Sequence, residues 1–228
     1  EQAEGKFKKS VFEAVSYAKA IADHQNTNLT AISIGNVAES DLKELGKYGA
    51  TKVLNVAVDQ LKNFVNQAYA SVIAEAAKKE GANLVVLSNS FTGKGLSPRI
   101  AVKLKAGLVD GAVSMPNFDG GFSVKKSAFS GKAFAITTLT SENKVIALSP
   151  NAFGVKENAV DTTIENFSPE IKSTDLTAIV KEIVRATDKI SLPDAELVVS
   201  AGRGLKGPEN WGMIEELASL LGAATACS

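Results

Sequence analysis

The chain is poor in the side chains that most often carry chemistry. Its 228 residues include one histidine, His24, and one cysteine, Cys227. A single cysteine cannot form an internal disulfide. One His and one Cys exclude histidine- and cysteine-rich zinc sites and Cys-His nucleophilic catalysis. A Ser-His-Asp triad would have to use His24, which follows Asp23 and precedes Gln25 and Asn26, the setting of a solvated residue at a helix end. Carboxylates are scattered, with no pair spaced as an acid/base couple. Net charge is also missing: 25 basic and 25 acidic residues cancel, so no global field draws nucleic acid or an anionic membrane. No apolar run reaches the ~18 residues of a membrane span, and no signal-peptide pattern is visible.

What is present is an ordinary globular composition, 45% apolar and 22% charged, long enough to bury most of its apolar surface. At ~150 residues per domain the length fits one domain or one and a half. Val11, Val15, Ala18 and Ala22 keep a helical period, which predicts an amphipathic helix over 8–24. Residues 29–34 read as a short strand, 39–46 as a short helix and 53–58 as a second strand. Leu61, Val65, Ala68, Val72 and Ala76 mark a long helix with Gly81 as its C-cap. Leu84 to Leu87 is apolar on both faces, which suits a central parallel strand. A further helix is expected from about Pro98 to Lys105, with Pro98 in its first turn.

From Gly111 to Phe167 the helical period fades, and short extended runs alternate with turns. Residues 133–139 and 144–148 read as neighbouring strands across the turn at Ser141-Glu142-Asn143. Ser173 or Thr174 can cap a helix holding Leu176, Ile179, Val180, Ile183 and Val184. Residues 188–195 read as a linker before a fresh strand at Leu197-Val198-Val199. The expected fold class is α/β: a mostly parallel open sheet with an antiparallel extension over 1–193, then the truncated start of a second, Rossmann-like α/β domain over 194–228. The chain opens on Glu1 rather than Met and stops within a strand-like run, so a piece of a longer polypeptide is expected.

Two glycine-rich segments could bind anions. Ser88 to Arg99 follows a strand but lacks the Walker A spacing; packing of a strand-to-helix turn and ligand binding both fit it. Val198-Val199-Ser200-Ala201-Gly202-Arg203-Gly204-Leu205-Lys206-Gly207 holds a literal Gly-x-Gly-x-x-Gly after a strand. Such glycines let a backbone approach a pyrophosphate, and Arg203 could add bidentate phosphate contacts. A Rossmann site expects an acid ~20 residues on, and residues 217–228 have none. A tight turn with a surface arginine therefore stands beside the phosphate reading. Trp211, Met213, Ile214, Leu217, Leu220 and Leu221 form one apolar helical face, read as core packing.

The segment from Glu196 to Lys206, with Glu209-Asn210 and Leu217 to Ser228, closely resembles the alpha subunit of electron transfer flavoprotein. The likeness extends over Ala3 to Ser10, Pro98-Arg99 and Phe129 to Ala133, and so covers essentially the whole chain. It implies a non-enzymatic electron carrier, an alpha/beta heterodimer that takes electrons from flavin dehydrogenases such as acyl-CoA dehydrogenases in fatty acid beta-oxidation. These electrons pass through FAD to a membrane quinone oxidoreductase. By motif position Arg203, flanked by Gly202 and Gly204, looks like the family's FAD-contacting arginine, and Ser228 matches the serine that begins the next FAD-contacting segment. Later flavin-contacting segments of the family, and the strand it places before Glu1, are not in this sequence, so this chain alone is not expected to retain FAD. The resemblance implies the cytoplasm in a bacterium or the mitochondrial matrix in a eukaryote, and no nucleic-acid partner. Two other classes fit the residues: an adenine-nucleotide-binding α/β module using Ser88 to Arg99, and a heterodimer scaffold without its own redox site.

Overall fold

A computed structural model describes residues 1–3, 5–183, 192 and 195–227. The chain divides into two compact units, Glu1–Val180 and Lys181–Ser228.

In the first unit a short antiparallel pair, β1 (Gln2–Ala3) and β2 (Lys6–Phe7), leads into α1 (Lys9–His24). There follow β3 (Thr30–Ile34), α2 (Glu39–Glu44), β4 (Lys52–Val56), α3 (Asn66–Lys79), β5 (Leu84–Ser88) and α4 (Phe91–Leu104). The rest is extended: β6 (Gly107–Ala112), β7 (Ser123–Ala128), β8 (Ala133–Thr138), β9 (Lys144–Leu148) and β10 (Thr163–Asn166). One sheet runs β10-β4-β3, all parallel; the other runs β5-β9-β6-β7-β8. In the second sheet the first three strands are parallel and the last two join antiparallel. Parallel strands with an antiparallel extension are what the alternating pattern implies, here divided between two sheets rather than carried by one.

The core lies on both faces of these sheets. Val53 of β4 packs with Val15 of α1, whereas its neighbour Leu54 packs with Val72 of α3. Likewise Ile146 of β9 meets Tyr17 and Ile21 of α1, while Val145 joins Ala74 of α3 and Ile100 of α4. Successive strand residues point to opposite faces. Each of α1 and α3 therefore spans both sheets, α1 from one side and α3, with α4, from the other. Burying side chains such as Ile146 and Leu148 contributes roughly 1.5–3 kcal/mol each.

Several expectations need correction. The interior parallel strand buried on both faces is β9, whose Val145, Ile146, Ala147 and Leu148 are all buried; β5 lies at the end of that sheet as described. Residues 133–138 and 144–148 are not neighbours, because β8 pairs with β7 and β9 inserts between β5 and β6. Their burial explains it. β8 alternates exposed with half-buried positions, as an outer strand does, while β9 is covered on both faces. Leu61 lies in a separate 3₁₀ turn, and α3 starts only at Asn66.

Pro98 is not in the first turn of α4 but in its interior. The helix starts seven residues earlier because Ser90 caps it, its hydroxyl accepting the Gly93 N–H at 3.1 Å. Gly93 fits there because a Cβ would lie 1.8 Å from the Ser88 carbonyl oxygen. The helix expected after Ser173 is a single 3₁₀ turn, Ser173–Asp175, and described residues up to 183 are not helical; Val184 lies outside the described residues. Asp175 is buried, accepting from the Ser71 hydroxyl at 2.6 Å, and Leu176 packs on the α3 cluster. Beyond it Ile179 and Ile183 stand exposed, so among the described residues a helix would find no surface on which to bury its apolar side.

Glu13 of α1 is the main buried polar anchor. Its carboxylate accepts the backbone N–H groups of Asn151 (2.8 Å), Phe153 (2.8 Å) and Gly154 (2.9 Å), pinning the loop that leaves β9.

Candidate functional site

The second unit is a βαβ piece. β11 (Val198–Ala201) and β12 (Ala224–Cys227) pair in parallel, and α5 (Gly212–Leu221) lies between them in sequence. A parallel pair needs such a crossover, and Gly222, at φ 61°, ends α5 in the left-handed conformation that glycine accepts most readily. The Gly-x-Gly-x-x-Gly segment therefore sits at the C-terminal end of a parallel strand, where α/β folds bind ligands.

Its conformation is a 3₁₀ turn, Arg203–Leu205, followed by a second, Pro208–Asn210. Ten residues separate β11 from the first residue of α5, so the glycines do not abut that helix. The turn supplies donors of its own. Leu205 N–H bonds Gly202 O at 3.1 Å and Lys206 N–H bonds Arg203 O at 3.0 Å. Among the described residues the N–H groups of Arg203 and Gly204 have no acceptor, as expected for the opening of a helical turn. Arg203 is exposed and meets no carboxylate among the described residues. A Cβ at Gly204 would have nothing within 4 Å, and Gly204 is not in the left-handed region. Neither conformation nor crowding among the described residues accounts for glycine there.

The far side of the loop is held stiffly. Gly207 N–H bonds Leu205 O at 2.8 Å across Lys206, whose φ of 65° and ψ of −41° mark the rare, strained γ-turn. The Asn210 side-chain amide donates to the same Leu205 carbonyl at 2.7 Å. Sequence reading includes Asn210 in the family resemblance but gives it no role of its own. Gly202, Arg203 and Gly204 come together at this strand end; Ser228 lies outside the described residues, as does most of the expected linker 188–195. The apolar face of α5 is not a core within this unit: Met213, Leu217, Leu220 and Leu221 are exposed and only Ala218 is buried.

The other glycine segment is different in kind. Phe91 to Arg99 belongs to α4, and both its glycines are explained by packing, Gly93 against Ser88 and Gly95 against the Asn66 carboxamide. The Ser90 hydroxyl also donates to the Glu1 carboxylate at 2.5 Å, so the start of α4 already holds an anion of the chain itself. His24 is the exposed last residue of α1, its ring stacked on Phe118 with centroids 4.0 Å apart. Among the described residues no cluster of His, Cys, Asp and Glu could hold a metal ion, and no helix is long and apolar enough to cross a membrane.

Comparison with known proteins extends this picture. The electron transfer flavoprotein domain family matches residues 1–178, and the electron transfer flavoprotein FAD-binding domain family matches residues 191–228. The electron transfer flavoprotein subunit alpha of Bacillus subtilis is 29% identical over 226 residues, covering 99% of this chain and 69% of that protein. That of Thermoanaerobacterium thermosaccharolyticum is 30% identical over 235 residues, with coverage of 100% and 71%. An acryloyl-CoA reductase electron transfer subunit beta from Anaerotignum propionicum is 29% identical over 259 residues, with coverage of 97% and 69%. The family match across the first unit, with whole-chain similarity to alpha subunits, shows that this chain belongs to the electron transfer flavoprotein family, on its alpha-subunit side.

Proposed function

We propose that the chain acts as the alpha subunit of an electron transfer flavoprotein, paired with a beta subunit and carrying electrons through FAD. The observation that carries the reading is the turn after β11. Two N–H groups without acceptors among the described residues, an exposed guanidinium and an open glycine converge on one strand end. That set fits an anionic group such as the FAD pyrophosphate: the Arg203 and Gly204 N–H groups would hold it, and Gly204 would let it approach the backbone. The Gly202 carbonyl closes the turn by accepting the Leu205 N–H, and Arg203 adds a charged fork whose charge opposes loss of the anion. Ser228 is proposed as a further contact on its motif position. FAD, when bound, supplies reversible electron uptake, while the protein positions and tunes it.

The electron donors would be flavin dehydrogenases, acyl-CoA dehydrogenases among them, and the acceptor a quinone oxidoreductase. The chain has no substrate chemistry of its own in this reading. Its place would be the cytoplasm of a bacterium or the mitochondrial matrix of a eukaryote. The two strands and one helix among the described residues of the second unit do not enclose a flavin ring, so the 228-residue polypeptide alone should purify without stoichiometric FAD; a full flavin absorption spectrum would contradict this. The site itself is tested by Arg203→Ala in the heterodimer with its beta subunit. Flavin affinity should fall about tenfold or more, with Arg203→Lys intermediate because it keeps the charge and loses the fork. Unchanged flavin content in both variants would remove Arg203 from the site.

A further inference from the structure

The outer face of α4 has no occupant in this chain. Its inner face is spent on the core, with Leu96, Ile100, Ala101 and Leu104 all buried. A surface helix normally turns polar residues outward, yet here Phe91 is 93% and Val102 78% exposed, and Pro98 lies between them on the same side. Around this stripe stand Lys94, Arg99, Lys103 and Lys105, and no acid occurs anywhere from Gly81 to Val109. Lys6, Lys19, Lys43, Lys52, Lys79 and Lys126 elsewhere in the unit each meet a carboxylate. Arg99, Lys103 and Lys105 meet none among the described residues. Lys94 lies near enough to Asp110 to help hold that carboxyl below its usual value. Beside the stripe, Gln67, Pro98, Arg99, Val102 and Lys103 line an open groove of about 430 Å³.

We propose that this face docks an acidic amphipathic segment of another protein, with an apolar side chain in the groove over Pro98 and Val102 and carboxylates on Arg99 and Lys103. Charge complementarity decides the occupant. In a two-fold dimer of this chain the same cations would face each other. A nucleic-acid backbone would gain nothing from the aliphatic groove floor, and a membrane surface would not fill a groove lined from two helices.

The proposal is independent of the flavin site, and its test uses the 228-residue chain without flavin. The probe is a helical peptide of fifteen residues with leucines at i and i+4 and glutamates beside them, titrated while amide NMR shifts are followed. Phosphatidylserine vesicles, duplex DNA and the same peptide with lysines for glutamates are compared. Shifts should concentrate at Gln67 and residues 91–105. Affinity should fall about tenfold in Arg99→Glu and, separately, in Val102→Asp, both exposed positions whose thermal unfolding should match the parent chain. Equal binding of the lysine peptide, shifts centred elsewhere, no loss in either variant, or tighter binding of vesicles or DNA by the same residues would each overturn it.

Discussion

Gly93 and Gly204 both follow the C-terminal end of a parallel strand, one after β5 and the other after β11. In the first unit the space a methyl group would need is taken, since the Ser88 carbonyl lies 1.8 Å from where a Cβ would be. In the second unit that space is open, and neighbouring N–H groups lack acceptors among the described residues. A glycine explained by its own chain is part of a finished structure, and one that the chain leaves unexplained points to something that approaches from outside. Individual elements show a similar contrast. The apolar residues of α1, α3 and β9 are buried within the first unit, whereas the face of α5 is not buried within the described residues.

The strongest challenge to this contrast is at Glu13. If the first unit satisfies its polar groups internally, Glu13→Ala strands three loop N–H groups and should cost about 3 kcal/mol. That corresponds to a fall of about 10 °C in the unfolding midpoint for a chain of this size. A loss below about 1 kcal/mol would mean that water replaces the carboxylate freely and the anchor is dispensable. Next in size is the glycine pair. Gly93→Ala should destabilise by about 2 kcal/mol through overpacking, while Gly204→Ala should leave unfolding within about 0.5 kcal/mol yet reduce flavin retention in the heterodimer. The reverse ranking in thermal melts would dissolve the distinction between the two turns.

Periodicity made the helices of the first unit legible, because α1 and α3 bury one side and expose the other. It placed their ends less well where a cap competed with a glycine or proline signal, as at Ser90, where a hydroxyl cap outweighs two glycines and an interior proline. Strand order was the least legible part. Leu84 to Leu87 and Lys144 to Leu148 are both short apolar runs, and only partner strands from distant sequence decide which is covered on both sides. The tail after Ser173 shows the opposite failure, a helical period that no surface among the described residues receives. For the site, the glycine spacing located the strand-end turn. The free N–H groups, the γ-turn at Lys206 and the Asn210 clamp required backbone geometry.

The smallest expected effect concerns the ion pairs of the first unit. Lys126, hydrogen-bonded to Asp110, holds that carboxyl below its usual 3.8 against the opposing effect of burial. Lys79, and after it Lys52, hold Glu165 below its usual 4.5. Folded-state values below the unfolded ones mean that the stabilisation is complete above the unfolded values and is lost as pH falls through the folded ones. The loss should therefore begin near pH 4.5 and continue below 3.8. Lys52 carries the opposite sign. Its value is raised chiefly by the Glu80 hydrogen bond, so its contribution is complete below 10.5 and fades as pH rises through the folded value. These groups are largely exposed and screened by solvent, so the changes are small. Urea midpoints measured across pH should show the acid limb flattened in Lys79→Met and Lys126→Met and the alkaline limb flattened in Lys52→Met. Parallel curves for all three variants would place the acid and alkaline sensitivity outside these pairs.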